Sequence, residues 1–203
     1  MASNELGRDR HVLAAVVWIL ITAGCQSQGQ KLPLEVSASN EPMTVTDAIA
    51  AGDCAGVRRL LVEGADPDPD NVPAAPLVQA VAGGRLECAR ALLDAGAAPD
   101  ATRTDGSSAL QIAARANATE LVALLLSRKA SPELANSGGV AALAAAAGAG
   151  SQESVVLLLQ AGAQVDAASA RGWTAVHAAI AQAHTEITSL LLEAGADGGR
   201  ADV

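Results

Sequence analysis

If this chain carries out chemistry, few side chains are available for it. His177 and His184 stand seven residues apart, with no third ligand at a spacing that would complete a metal site. There is no Gly-x-Ser-x-Gly elbow, phosphate-cradling glycine loop or zinc-protease helix. Asp66-Pro67-Asp68-Pro69-Asp70 masses carboxylates, but it lacks the glycine and distal glutamate with which an EF-hand loop wraps calcium, and its prolines limit wrapping. It reads as a projecting acidic loop rather than a cation site. No catalytic residue, metal, cofactor or small-molecule substrate is therefore expected, and the chain is not expected to be an enzyme.

The elements that would position any functional side chain come in copies. Leu60-Leu61, Leu92-Leu93, Leu125-Leu126, Leu158-Leu159 and Leu191-Leu192 recur every 33 residues, with a first step of 32. Gly64, Gly96, Gly162 and Gly195 follow their pairs at one offset, and Lys129 takes that place in the third copy. A second column, Leu77, Leu110, Leu143 and Val176, keeps the same period and opens a short apolar helix each time. A period of this size belongs to stacked supersecondary units that bury their apolar faces against one another. The glycines sit where a left-handed residue closes a helix. Lys129 there costs on the order of 1 kcal/mol, so either something compensates or that helix ends differently.

The fullest copy is Gly172-Trp173-Thr174-Ala175-Val176-His177-Ala178-Ala179, followed by Glu186-Ile187 and Leu190-Leu191-Leu192-Glu193-Ala194-Gly195-Ala196-Asp197. It resembles the ankyrin repeat, and the resemblance extends over roughly 43–203. It implies an all-α solenoid of about five helix-turn-helix repeats with short finger loops, at 43–69, 70–102, 103–135, 136–168 and 169–203. The first copy is degenerate, as a cap should be, and Thr188 and Ser189 suit a C-terminal cap. By position in the resemblance His177 and His184 are structural, one in each helix of the last repeat. The fourth copy's first helix is nearly all Ala and Gly, which predicts close packing and low local stability.

Composition agrees with a thin-layered stack. Half the residues are hydrophobic, yet aromatics are 1%, with no Phe or Tyr. A single deep core needs larger side chains, whereas a solenoid layer fills with Leu, Val, Ile and Ala. A net charge of −9 and a pI near 4.7 argue against nucleic acid, which requires clustered Lys and Arg.

The first 24 residues read as an export signal. Arg8 and Arg10 precede an apolar run from Val12 to Leu20, and Thr22-Ala23-Gly24 lead to Cys25. The apolar core is about a dozen residues, short of the roughly 20 needed to span a bilayer. Ile21-Thr22-Ala23-Gly24-Cys25 resembles a bacterial lipobox, with Thr22 where Leu is usual. That makes Cys25 the lipid-attachment residue, carrying palmitate-type acyl chains. Ordinary cleaved secretion and an uncleaved anchor are the alternatives. Gln26 resembles an outer-membrane address, so the expected location is the bacterial cell envelope, as an outer-membrane lipoprotein facing the periplasm. Residues 26–42 are rich in Gln, Ser and Pro and read as a tether, whose 17 residues reach roughly 55 Å at about 3.3 Å each.

Cys54 and Cys88 then face an oxidising compartment as an even pair. Stacked repeats lie about 10 Å apart, beyond the Cα reach of a disulfide, so two buried thiols are the expectation.

What remains is the surface. Ankyrin-like stacks grip partners with their finger tips and the exposed side of their first helices. By position this gives Val72, Asp105, Ser107, Arg115, Val140, Arg171, Trp173 and Gln182 as protein-binding residues. Trp and Arg lead the composition of interface hot spots, which singles out Arg171 with Trp173; the alternative is that Trp173 packs against the neighbouring finger. Arg103, Arg115, Arg128 and Lys129 give the third repeat a positive face flanked by small residues, suited to an acidic helix or loop. The function expected is a membrane-tethered periplasmic module, monomeric, that binds an exported protein partner. The alternative is an immunity-type inhibitor neutralising a periplasm-acting toxin or lipase.

Overall fold

A computed structural model of the chain describes residues 43–69 and 74–198. The leader, Cys25, the tether and Val72 lie outside the described residues. Among those described there are ten helices and no strand, in five antiparallel pairs: α1 (Val45–Ala51) with α2 (Cys54–Val62), α3 (Pro76–Ala82) with α4 (Leu86–Asp94), α5 (Ala109–Arg115) with α6 (Thr119–Ser127), α7 (Ala142–Ala149) with α8 (Gln152–Gln160), and α9 (Ala175–Ala181) with α10 (Thr185–Glu193). First helices pack on first helices and second on second along the stack. The all-α solenoid of five repeats is the architecture.

Local sequence sets where each pair begins. Thr44 and Ser108 cap α1 and α5 reciprocally with Asp47 and Gln111, which satisfies donors that a helix start leaves free. Pro76 opens α3, where its missing N–H is no loss. The two periodic columns form the core. Leu77, Leu110, Leu143 and Val176 from the first helices, and Leu92, Leu125, Leu158 and Leu191 from the second, are each at most 2% exposed. Burying each of these side chains stabilises by roughly 1.5–3 kcal/mol. No single pair could bury its own leucines, so the stabilisation exists only between neighbours.

A second device ties neighbours together. The carboxylates of Asp68, Asp100, Glu133 and Asp166 accept the backbone N–H groups of Ala98, Ser131, Gln164 and Asp197 of the following repeat, at 2.6–3.0 Å. The acidic loop at Asp66 thus spends one carboxylate, Asp68, on the next repeat, while Asp66 accepts the Asp68 N–H.

Two expectations about particular residues are settled by geometry. Lys129 adopts φ +66°, and its N–H and that of Ala130 reach Leu126 and Leu125 just as those of Gly162 and Ala163 reach Leu159 and Leu158. The helix ends as its siblings do, with no side-chain bond from Lys129 offsetting the strain among the described residues. His184 lies at the cap immediately before α10 rather than inside a helix. Its ring covers Gly150, where an added Cβ would meet Cε1 at 2.7 Å.

The expectation of two free thiols is overturned: Cys54 and Cys88 form a disulfide, their Cα atoms 4.7 Å apart. The error lay in equating the spacing of helix axes with that of residues. Each Cα stands about 2.3 Å from its own axis, so residues facing each other across axes about 10 Å apart approach to roughly 5.4 Å. The bridge pins the degenerate first repeat to the second.

Two outcomes are expected. Lys129→Gly should raise stability by about 1 kcal/mol, read as a higher denaturation midpoint at constant slope; an unchanged midpoint would mean the residue is unstrained. In a Cys25→Ser chain, unreduced and unfolded protein should show no titratable thiol. Reduction, which opens a loop of sequence separation 34, should remove up to about 4 kcal/mol, with faster hydrogen exchange concentrated in α1 and α2. Two titrating thiols, or stability indifferent to reductant, would refute the bridge.

Candidate functional site

Stacking consumes the faces between repeats and leaves the fingers and the open side of the first helices. The fingers of the third, fourth and fifth repeats are tight turns. Gly106, Gly139 and Gly172 close the turns on Arg103, Asn136 and Ser169 with φ near +75° (76°, 72° and 76°). The turns also touch: Ser137 donates its N–H to the Asp105 carbonyl, and Ala170 to that of Gly138. At Gly139 a Cβ would come 2.5 Å from the Ala170 nitrogen, so the approach of the next finger demands glycine. The fingers are a continuous hydrogen-bonded edge.

Behind that edge Gln111 ties the third repeat to the fourth and lines a small cleft between them. Gln111, 4% exposed, accepts the Ser108 N–H and donates from Nε2 to the carbonyls of Leu134, at the end of its own repeat, and of Val140 in the next. The residue at the same register in the fourth repeat is Ala144, and in the fifth His177, whose Nδ1 lies 2.8 Å from the Thr174 hydroxyl. Ala144 spans nothing. At the Ala144 junction the cleft is about 380 Å³, walled by Val140, Ala144, Ala178, Trp173 and Arg171, against about 210 Å³ at the corresponding junction one repeat earlier, which Gln111 narrows. The smaller cleft adjoins the larger through Val140 and is lined by Ser107, Ile112 and Arg115.

The structure therefore brings together five of the residues expected from sequence: Ser107, Arg115, Val140, Arg171 and Trp173. Trp173 is 51% exposed, its backbone fixed by Ser169 while its side chain walls the cleft. Asp105 sits at the neighbouring finger tip without lining either cleft, and Gln182 is exposed at the end of α9, also apart from them. Val72 lies outside the described residues. The four-residue basic face divides. Arg128 is held by Asp94 at 2.7 Å and Lys129 closes a helix, whereas Arg115 lines the cleft and joins no ion pair among the described residues. Arg171 is likewise unpaired there.

Gln111 and Ala144 were not singled out from sequence. Their signal was the column 78, 111, 144, 177, occupied by Val, Gln, Ala and His, where a small residue replaces a bridging one. Among the described residues no group of His, Cys, Asp or Glu could hold a metal ion, and no helix is long and apolar enough to cross a membrane. The family pattern described as ankyrin repeats (3 copies) matches residues 45–136 and 130–202. Comparison with curated proteins finds no match.

Asp105 offers a check on the finger edge. The Ser107 backbone N–H, and then its side chain, hold the carboxyl below its ordinary value of 3.8. A depressed folded-state value means this turn is fully supported above pH 3.8 and loses that support as pH falls through the lower folded value. The Ser107 amide resonance should shift with a midpoint below 3.8 and stop doing so in Asp105→Asn; a midpoint at or above the ordinary value would contradict the contact.

Proposed function

This chain belongs to the ankyrin-repeat family, and from that premise we propose that it is a protein-binding module tethered to a membrane through Cys25 and working in the periplasm on an exported partner. Ankyrin repeats act as protein-interaction scaffolds, and nothing in the clefts pairs a nucleophile with a base or groups metal ligands. The observation that carries the reading is the half-exposed Trp173 beside unpaired Arg171 at an open apolar cleft. An aromatic anchor and a guanidinium at the centre of a concave patch are what protein interfaces use most heavily.

Two features support the location. The leader ending at Cys25 has the export pattern, and the Cys54–Cys88 bridge is of the kind that persists in oxidising compartments. Anchoring confines the module to the neighbourhood of the membrane, so modest intrinsic affinity suffices for occupancy.

Capture from detergent-solubilised bacterial envelopes tests the reading. Wild-type chain should retain a partner that Arg171→Ala with Trp173→Ala loses, while the helical circular dichroism stays the same. Equal capture by both proteins would remove this cleft from the interface. In the same cells, Cys25→Ser should leave the membrane fraction; retention there would remove the lipid tether.

A further inference from the structure

The binding reading says that a protein docks here without saying what it looks like. The cleft itself constrains the answer. The chain carries a net charge of −9, yet among the described residues the only ionisable side chains lining the two adjoining clefts are Arg171 in the larger and Arg115 in the smaller, with Val140 shared by both. Neither meets a carboxylate within the chain among the described residues, although Arg58, Arg90 and Arg128 all do. Between the arginines the walls are Val140, Ala144, Ala178 and the Trp173 ring. The notch at Ala144 is roomier than its counterpart one repeat earlier, about 380 Å³ against about 210 Å³, where Gln111 occupies the same register.

We propose that this groove takes an acidic peptide segment of the partner, with one bulky apolar side chain seated in the Ala144 notch against Trp173 and flanking carboxylates on Arg115 and Arg171. The inference rests on the protein-binding reading above and adds the partner's chemistry. An aliphatic or aromatic group in the notch would exclude water from the side of the Trp173 ring that faces the cleft. Guanidinium groups pair with carboxylates in a forked geometry that fixes the peptide's register. A basic segment would meet like charge in both clefts and be rejected.

The test uses the full chain with Trp18→Phe, which leaves Trp173 as the reporting tryptophan. Random short peptides displayed on phage are selected against it in detergent, and the enriched ones are synthesised and titrated by tryptophan emission. They should be net negative, carry a Leu, Ile, Met or Phe, and shift the Trp173 spectrum. Ala144→Gln, which supplies the side chain present one repeat earlier, should weaken them by about tenfold or more, as should Arg115→Glu and Arg171→Glu. Arg59→Glu, an equal charge change on α2, should leave affinity within about twofold. Thermal melts establish that each variant is folded. Neutral or basic peptides, or affinity indifferent to Ala144→Gln, would overturn this partner chemistry. The binding function would survive that result if envelope capture still depended on Arg171 and Trp173. Failure of any peptide to enrich over an unrelated bait would also overturn the proposal, leaving the envelope capture to decide on its own whether a partner docks.

Discussion

A helix pair seven to nine residues long on each side cannot enclose its own leucines, and the rest of the molecule follows from that limit. Leu110 is buried because α3 and α7 flank α5, and Leu125 because α4 and α8 flank α6. Stability is thus a property of junctions rather than of repeats. This explains a core built without Phe or Tyr: a layer one helix thick has no space deep enough to need them. It also explains why the ends differ. At the C-terminal end Ile180 is 57% exposed, whereas Val81, Ala114 and Ala147 at the same register are covered by a following repeat. Among the described residues the degenerate first repeat packs against the second alone, and the Cys54–Cys88 bridge adds a covalent tie at that junction.

Leucine layers alone would permit sliding, since one apolar row resembles the next. The carboxylate ladder and the finger edge prevent it. Asp68, Asp100, Glu133 and Asp166 each hold one backbone amide of the following repeat, and the finger carbonyls of Asp105 and Gly138 hold two more. A hydrogen bond to a charged acceptor is directional in a way that apolar contact is not. The apolar columns supply most of the free energy of stacking, and the polar ladder fixes the offset.

Much of this was legible in the sequence, and the boundary between what was and what was not has a physical cause. The helices, their turns and the leucine columns were readable because period and residue type coincide at Leu92, Leu125, Leu158 and Leu191. The ladder acids keep almost the same period, but an acidic residue on a surface reads as solubility until a backbone N–H is seen beneath it. The disulfide was not legible because repeat spacing gives the distance between elements, while the angular position of Cys54 and Cys88 on their helices decides how close they come. The cleft was half legible. Its polar and aromatic rim, Arg115, Arg171 and Trp173, could be named from type and position. Its floor could not, because it consists of a side chain that is missing relative to Gln111.

That last point bears on how such a stack acquires a function at all. A perfect repeat would present the same groove at every junction and favour no position along it. Specificity must therefore come from departures between copies, and the largest departure in the open-face column is Gln111 to Ala144 to His177. Gln111 narrows one junction by bonding the Leu134 carbonyl of its own repeat and the Val140 carbonyl of the next. Ala144 makes no such bond, and the cleft that Trp173 walls there is the larger of the two. The junction that loses an internal contact is the one able to accept an external one. In a fold where every junction carries its own share of stability, a binding site can be made by weakening one contact while its neighbours hold the register.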